Sequence, residues 1–225
     1  MPMNIAIDGP VGAGKSSIAD GVARRLNILH LDTGAMYRAL ALYVLRSGTD
    51  PDDEAAVVAC CQKADVRVRY VDGAQHTLLG EEDVSGLIRT GEVSAAASAV
   101  SRWPGVRSEM VRMQREIARQ ADTLLDGRDI GTAVLTDAPV KIYLTATPEE
   151  RARRRYLEQV KKGDMTPYEQ VLRELNARDQ QDMNRAVTPL RQAEDAVRID
   201  STNMTPDEVV ETIIRMVEDV YGRKS

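Results

Sequence analysis

The stretch NIAIDGPVGAGKSSIADGVARRL, residues 4–26, gives the strongest indication of the fold. It opens with an apolar run typical of a buried strand, passes through three glycines and a lysine, and ends with helical spacing of apolar residues. Gly9 is followed by four residues and then by Gly14-Lys15-Ser16, which is the spacing of a phosphate-binding loop. Because the loop lies between a predicted strand and a predicted helix, we expect it to hold a nucleoside triphosphate.

Different residues of this loop are expected to make different contacts with the triphosphate and its metal ion. Glycines let backbone amides approach phosphate oxygens, and the amide-rich start of the following helix adds positive potential. Lys15 is expected to reach the β and γ phosphates, and the Ser16 hydroxyl is expected to ligate Mg²⁺. The residues predicted to bind the triphosphate are Gly9, Pro10, Val11, Gly12, Ala13, Gly14, Lys15, Ser16 and Ser17.

The composition of the chain excludes several classes of protein. The chain has 225 residues, is 43% hydrophobic and carries a formal net charge of -5, which suits one sizeable globular core and argues against a nucleic-acid polymer as partner. No stretch approaches the roughly 18 apolar residues of a membrane span, and the first residues do not resemble a signal peptide. We therefore expect a cytoplasmic protein without membrane attachment. We also expect a monomer. The only cysteines, Cys60 and Cys61, are adjacent and suit neither a disulfide nor a zinc site.

Strand-like runs alternate with helical patterns along most of the chain. This alternation predicts an α/β fold with a parallel sheet covered by helices on both faces. The predicted core strands are residues 4–8, 28–32, 123–126, 140–145 and 197–200.

Three helix starts share one pattern, a threonine cap followed by proline and then, three residues after the cap, glutamate. The capping threonines are Thr147, Thr166 and Thr205. After Thr205, apolar residues recur at steps of three and four up to Val220 and Tyr221, which predicts a helix with one face buried against the sheet.

One region departs from the α/β alternation. Residues 66–70 alternate between apolar and arginine side chains, and Asp72-Gly73 is a turn signal before residues 77–79. We expect a small antiparallel insertion near residues 64–85. It could shape substrate specificity, or it could be a surface elaboration.

Two further sequences follow predicted core strands, where ligands bind in parallel sheets. They are DTGAMYR, residues 32–38, and DGRD, residues 126–129. Arg38 and Arg128 could clamp a second phosphate opposite the one held by Lys15, which would bring donor and acceptor in line, or each could form an ordinary ion pair.

Basic side chains follow the Thr147 cap. Arg151, Arg154 and Arg155 share one helical face and could belong to a lid, residues 148–166, that neutralises the transferring phosphoryl group; a solvated basic face is the alternative. Further along, the spacing of four and three residues puts one more set on a common face, where it could clamp a ribose or a phosphate or form a surface ion pair. That set is Arg178, Asp182 and Arg185.

Other residues narrow the reaction class. The chain has no Asn-Lys-x-Asp stretch, which disfavours a GTPase, and its third core strand does not end in the Asp-Glu of a mechanical ATPase. The only histidines are His30 and His76, and neither stands in a nucleophilic pattern. A phosphate monoester needs no general base, since its second pKa is about 6 and the attacking oxygen is already charged. An alcohol would more readily need an aspartate base, so a nucleoside monophosphate acceptor is favoured.

The motifs together resemble the bacterial cytidylate kinase family. The resemblance is carried by the loop, by DTGAMYR, by DGRDIGT at residues 126–132 and by NRA at residues 184–186. It extends to EDVS and IRT within the insertion, residues 82–85 and 88–90, and to DAPVKI at residues 137–142.

This resemblance implies a nucleoside monophosphate kinase fold with a five-stranded parallel sheet, a monophosphate-binding segment at residues 33–100 and a short lid. It implies ATP as donor, with Mg²⁺, and CMP or dCMP as acceptor. By position, Thr33 and Arg38 match acceptor-binding residues, although relatives commonly have serine in place of Thr33. The matches to cytosine-reading residues are Ser98, Arg107 and Asp129, and those near ribose and phosphate are Arg128, Asp182 and Arg185.

The proposed cytosine contact can be checked physically. A carboxylate such as Asp129 suits the N4 amino group of cytosine, whereas it would face the O4 carbonyl of uracil. The sequence therefore predicts a kinase for CMP and dCMP, with Lys15 and the arginines Arg128, Arg151, Arg154 and Arg155 as its catalytic groups. The alternatives are a kinase for another nucleoside monophosphate or a small alcohol, and a nucleotide sensor without catalysis.

Overall fold

The computed structural model describes residues 2–161 and 163–222. The strands in this part of the chain are β1 (Asn4–Asp8), β2 (Leu29–Asp32), β3 (Val66–Val71), β4 (Ala74–Leu79), β5 (Glu82–Asp83), β6 (Thr123–Gly127), β7 (Val140–Thr145) and β8 (Val197–Asp200). The helices are α1 (Lys15–Leu26), α2 (Thr33–Arg46), α3 (Glu54–Lys63), α4 (Gly91–Val100), α5 (Pro104–Ala118), α6 (Pro148–Lys161), α7 (Tyr168–Met183) and α8 (Pro206–Tyr221).

The chain divides into two units. The first comprises the residues up to Leu29 together with those from Asp122 onward, and the second is His30–Ala121. The predicted monophosphate-binding segment, 33–100, and the predicted lid, 148–166, remain predictions as functional divisions. The lid range contains Lys162, which lies outside the described residues.

A five-stranded sheet carries the phosphate-binding loop. Its strand order is β2-β6-β1-β7-β8, with β1 in the centre and parallel to both β6 and β7. Three strands have the predicted bounds, while β2 begins at Leu29 and β6 continues to Gly127. The α/β fold class with a parallel sheet is confirmed.

The core of the first unit lies between this sheet and helices α1 and α8. Ile5 and Ile7 on β1 are completely buried, and each such side chain stabilises the fold by about 1.5–3 kcal/mol. The two helices approach closely at Gly21, where a Cβ atom would lie 2.9 Å from Val210 Cγ2. The predicted buried face of α8 is confirmed as far as Val217. In the last turn Val220 is 51% exposed, whereas Tyr221 is partly buried and its hydroxyl donates to Asn4 O on β1 at 3.3 Å.

The second unit contains the predicted insertion. Strands β3 and β4 pair in antiparallel fashion, and Asp72 and Gly73 both have positive φ angles, of 51° and 77°, as a two-residue hairpin turn requires. The hairpin is confirmed. A third strand, β5, pairs with β4 and was not predicted, because two residues give too short a pattern to detect.

The threonine caps differ from one another. Thr205 and Glu208 form the complete reciprocal capping box at α8. Thr147 Oγ1 accepts a hydrogen bond from the Glu150 amide at 3.3 Å, which caps α6. The prediction for Thr166 is wrong: its hydroxyl donates to Asp164 Oδ1 at 2.6 Å, and α7 begins at Tyr168 with Pro167 in the cap position.

Neither a helix suited to crossing a membrane nor a cluster of metal-ligand residues occurs within residues 2–161 and 163–222. None of the helices there is both long enough and apolar enough to cross a bilayer. Nor do three or more His, Cys, Asp or Glu side chains of that part converge to hold a metal ion. Cys60 and Cys61 are free thiols.

Replacing Thr205 with alanine is expected to destabilise the protein by about 1 kcal/mol, because it removes the side-chain acceptor for an N-terminal amide of α8. Urea denaturation followed by circular dichroism measures the loss. The matched control is Thr166→Ala, for which we expect less than about 0.5 kcal/mol because that hydroxyl caps no helix. Equal losses in the two variants would contradict this interpretation of the caps.

Candidate active site

The loop between β1 and α1 is shaped by its glycines. A Cβ atom at Gly9 would lie 2.0 Å from Leu144 O on β7, so a residue without a side chain is required where the loop passes that strand. Gly12 and Gly14 have φ angles of +76° and +87°, in the left-handed region. Helix α1 begins directly afterwards, at Lys15, and this is the loop-to-helix step that phosphate binding requires.

Lys15 is buried, with 6% of its surface exposed, and its Nζ donates to Pro10 O at 2.8 Å. Burial, together with the nearby Arg128 guanidinium, lowers the pKa of Lys15 to about 7. A phosphate anion beside this nitrogen would favour the charged form again. A bound anion would therefore stabilise the positive charge of the Lys15 ammonium group in this site.

Asp8, the last residue of β1, is a site residue that the sequence analysis missed. Its two carboxylate oxygens each accept a backbone hydrogen bond at 2.7 Å, from the amides of Ile130 and Gly131. Burial raises the pKa of Asp8 to about 7. Through its two hydrogen bonds, the Asp8 side chain fixes the position of the segment that follows Asp129. Its position directly before Gly9 was visible in the sequence, but its partners lie more than 120 residues away along the chain.

Ser16 and Asp126 form the candidate metal position. Ser16 Oγ donates to Asp126 Oδ2 at 2.9 Å, and Asp126 is 4% exposed on β6. Hydroxyl and carboxylate oxygens are ligand types that Mg²⁺ prefers, so the residues present fit this ion. The sequence analysis named Ser16 alone; the position of Asp126 near the carboxyl end of a predicted strand was the available signal.

A cavity of about 620 Å³ lies beside the loop in the first unit. Its walls are the loop, the first turns of α6, residues 201–206 and Val209 on α8. Arg154 spans one wall, donating to Ser201 O at 2.6 Å and to Glu150 Oε1 at 2.9 Å. Arg155 also lines the cavity and pairs with Glu158 at 3.5 Å. Two of the predicted lid arginines thus border a cavity next to the phosphate-binding loop.

Arg151 is placed differently from what its helical spacing suggested. It is 4% exposed, is not part of the cavity wall, and donates to Ala146 O and Val11 O at 3.0 and 2.9 Å. It also forms an ion pair with Asp179 at 2.5 Å. The structure therefore does not bring Arg151 together with Arg154 and Arg155, because its guanidinium group points into the protein and is engaged there.

Only two members of the predicted set, Arg178 and Asp182, lie on α7, because the helix ends at Met183; Arg185 follows it in irregular structure, so the prediction of one shared helical face is wrong for Arg185. Asp182 Oδ2 accepts from Arg128 Nε at 2.9 Å, and Arg185 Nη1 lies 3.8 Å from Asp182 Oδ1. Although burial acts in the opposite direction, Arg128, Arg185 and Arg178 hold the pKa of Asp182 below its ordinary value. This cluster places three guanidinium groups around one carboxylate in the first unit.

Asp129 follows Arg128 in the first unit and is buried, whereas the remaining predicted acceptor residues lie in the second unit. Asp32 caps α2 by accepting from the Ala35 amide, and its other oxygen accepts from Arg38 Nη2 at 2.8 Å. Thr33, the first residue of α2, is buried. Arg107 is 2% exposed, donates to Ser101 O at 3.0 Å and lies over the Tyr37 ring. Ser98 lies on α4 and is partly exposed.

Asp32 also connects Arg38 to the insertion. Its backbone amide donates to Gln75 Oε1 on β4 at 2.7 Å, and Arg89 Nη2 lies 3.3 Å from its carboxylate. The N-terminus of α2 therefore presents a fixed arginine beside positive backbone amides, which can hold a phosphate.

Comparisons with known proteins agree with the motifs. The family model described as cytidylate kinase matches residues 5–219. A cytidylate kinase of Caldicellulosiruptor bescii is 49% identical over 95% of both chains, and one of Mycobacterium leprae is 48% identical over 97% of this chain and 96% of its own. An uncharacterized protein from Eubacterium ventriosum has a similar fold, with a TM-score of 0.55, 13% identity and coverage of 97% and 99%. The resemblance inferred from the sequence is confirmed.

Replacing Asp126 with asparagine is expected to raise the Mg²⁺ concentration for half-maximal turnover by about 10-fold or more, because Ser16 loses the charged group that orients it. Initial rates measured across a magnesium titration test this. The exposed carboxylate Asp137, changed to asparagine, is the control and should leave the requirement unchanged. An unaltered titration curve for Asp126→Asn would remove this residue from the metal position.

Proposed function

The chain belongs to the cytidylate kinase family, and we propose that it transfers the γ-phosphate of ATP to CMP or dCMP, giving CDP or dCDP. The observation that carries the proposal is a phosphate-binding loop with a buried lysine, in a chain that matches this family over residues 5–219. The enzyme is a phosphotransferase. It is proposed to act as a monomer in the cytoplasm, as a protein of nucleotide metabolism.

The donor side is assigned to the first unit. The loop amides and Lys15 hold the phosphates of ATP, and the adjoining cavity of about 620 Å³ receives its nucleoside. Ser16 and Asp126 would hold Mg²⁺, which when bound would neutralise charge on the phosphates of ATP. Arg154 and Arg155 line this cavity and are assigned the neutralisation of charge on the transferring phosphoryl group.

The proposed acceptor contacts are given for each unit by itself. In the second unit, Arg38 binds the acceptor phosphate, and Thr33, Ser98 and Arg107 bind the nucleoside. In the first unit, Asp129 accepts from the cytosine amino group. The remaining proposed contacts of the first unit, to ribose and phosphate, are Arg128, Arg178, Asp182 and Arg185.

The proposed reaction needs orientation and charge neutralisation, and it needs no general base. The acceptor phosphate is mostly doubly ionised at neutral pH, so its oxygen attacks the γ-phosphorus while the bond to the β-phosphate oxygen breaks. Guanidinium groups offset the charge that gathers on the transferred group. Exclusion of water by the bound substrates prevents hydrolysis of ATP.

With ATP and saturating Mg²⁺, we expect kcat/KM for CMP and dCMP to exceed that for UMP by about 5- to 150-fold, since uracil would leave buried polar groups unpaired at a cost of about 1–3 kcal/mol. Coupled-assay kinetics with CMP, dCMP, UMP and AMP measure this. Asp129→Asn should narrow the difference, because an amide can face either base. Equal use of UMP and CMP by the unaltered enzyme would reject the role of Asp129. Activity on none of the four would favour an alcohol acceptor or a sensor.

Replacing Lys15 with methionine is expected to lower kcat by at least about 100-fold, because the donor phosphates lose their ammonium contact, while the thermal midpoint stays unchanged or rises. The fold tolerates the change since the lysine stem is already buried and its charge is costly there. Steady-state kinetics and calorimetry give the two quantities. Lys63→Met, at an exposed position of α3, is the control. Full activity of the Lys15 variant would refute the function proposed for the loop.

A further inference from the structure

One buried ion pair connects Val11 of the phosphate-binding loop to helices α6 and α7. Val11 N donates to Asp179 Oδ1 at 3.2 Å, and Val11 O accepts from Arg151 Nη1 at 2.9 Å. Arg151 and Asp179 themselves pair at 2.5 Å, and each is 4% exposed. Both polar main-chain groups of Val11 are therefore held by the same pair of side chains.

We infer that Arg151 and Asp179 are positioning residues for donor binding: they fix the conformation of the loop and do not touch the nucleotide. The inference rests on the proposed function only in taking the loop as the ATP site. It replaces the expectation that Arg151 neutralises the transferring phosphoryl group, since its guanidinium already has three acceptors inside the protein.

The composition of the loop explains why it needs such a support. Gly12 and Gly14 have left-handed φ angles, and glycine is the residue that loses most conformational freedom on folding. With the Val11 peptide oriented from outside, the amides that follow it along the cavity wall keep one direction before ATP arrives. A preorganised loop binds more tightly because less order has to be created on binding.

The packing around Gly12 gives an independent indication. A Cβ atom there would lie 3.1 Å from Arg151 O, 3.2 Å from Arg151 Cβ and 3.3 Å from Leu175 Cδ1. Helices α6 and α7 therefore press against the loop at the residue next to Val11. The ion pair and this contact act on the same short segment, so a change in either helix reaches the donor site through the loop backbone.

A double-mutant cycle tests the inference. Arg151→Met, Asp179→Leu and the double variant are compared with the unaltered protein for the Kd of ATP, the KM of CMP and deuterium uptake by the peptide containing Val11. The double variant leaves no unpaired buried charge, so it keeps the test possible if either single variant does not fold. We expect the double variant to fold, to weaken ATP binding about 10-fold or more, and to exchange the loop amides faster, with the KM of CMP changed by less than about 2-fold.

Each single variant that folds should show the same weakening as the double variant, because the two residues act as one device. The control is Glu211→Gln, which breaks an exposed ion pair with Arg25 in the same unit and should alter none of the three measurements. Unchanged ATP affinity in the double variant would overturn the inference. A decrease confined to kcat after Arg151→Met alone would also overturn it, because it would mean that Arg151 contacts the phosphoryl group directly. An equal weakening of ATP and CMP binding would overturn it as well, because it would mean that the whole fold had become less stable.

The outcome is separable from that of the proposed function. The Kd of ATP and the exchange of the loop amides are measured without an acceptor, so they report on the ion pair even if CMP is not phosphorylated. Conversely, normal CMP kinetics with unaltered loop exchange in the double variant would leave the proposed function intact and reject only the positioning role.

Discussion

The site depends on how tightly the central strand β1 is bound to its neighbours at the point where the loop leaves it. Asp8 lies opposite Gly127 on β6 and Tyr143 on β7, and the next residue, Gly9, passes so close to Leu144 O that no side chain fits. The loop cannot shift without moving a buried strand. The sheet therefore determines where helix α1 begins and where its free amides point, and phosphate binding follows from that position.

Buried charge is the second feature of the first unit, and it is organised largely by helix α7. Asp179 and Asp182 lie three residues apart on one face of this helix. The first pairs with Arg151 behind the loop, and the second pairs with Arg128 next to the end of β6. Removal of either partner from such a pair is costly, because the other charge is then left buried and unpaired. One helix thus supports residues assigned to the donor and residues assigned to the acceptor.

Local sequence signals succeeded where a short segment settles its own conformation. Asp72-Gly73 tolerates the two positive φ angles of its turn, and Thr205 has its glutamate three residues on, so both predictions needed no distant partner. Thr166 has the same local pattern as Thr205, yet its hydroxyl bonds Asp164, because a competing acceptor lies two residues away. Asp8 and Asp126 carried only weak signals, since a single carboxylate at a strand end does not reveal its partner.

The α/β fold, the central strand, the phosphate-binding loop and the family could all be predicted from the sequence, because each depends on residues that lie close together along the chain at a characteristic spacing. Which arginines border the cavity and which contact the loop from the side of α6 and α7 depends on how these helices pack, and could not be predicted from the sequence. Arg151 and Arg154 are three residues apart on one helix and look equivalent in sequence. The packing of that helix against the loop and α7 directs Arg151 to Val11 and Asp179, whereas Arg154 reaches Ser201. A buried guanidinium group must be hydrogen-bonded, so each side chain turns toward the acceptors within its reach.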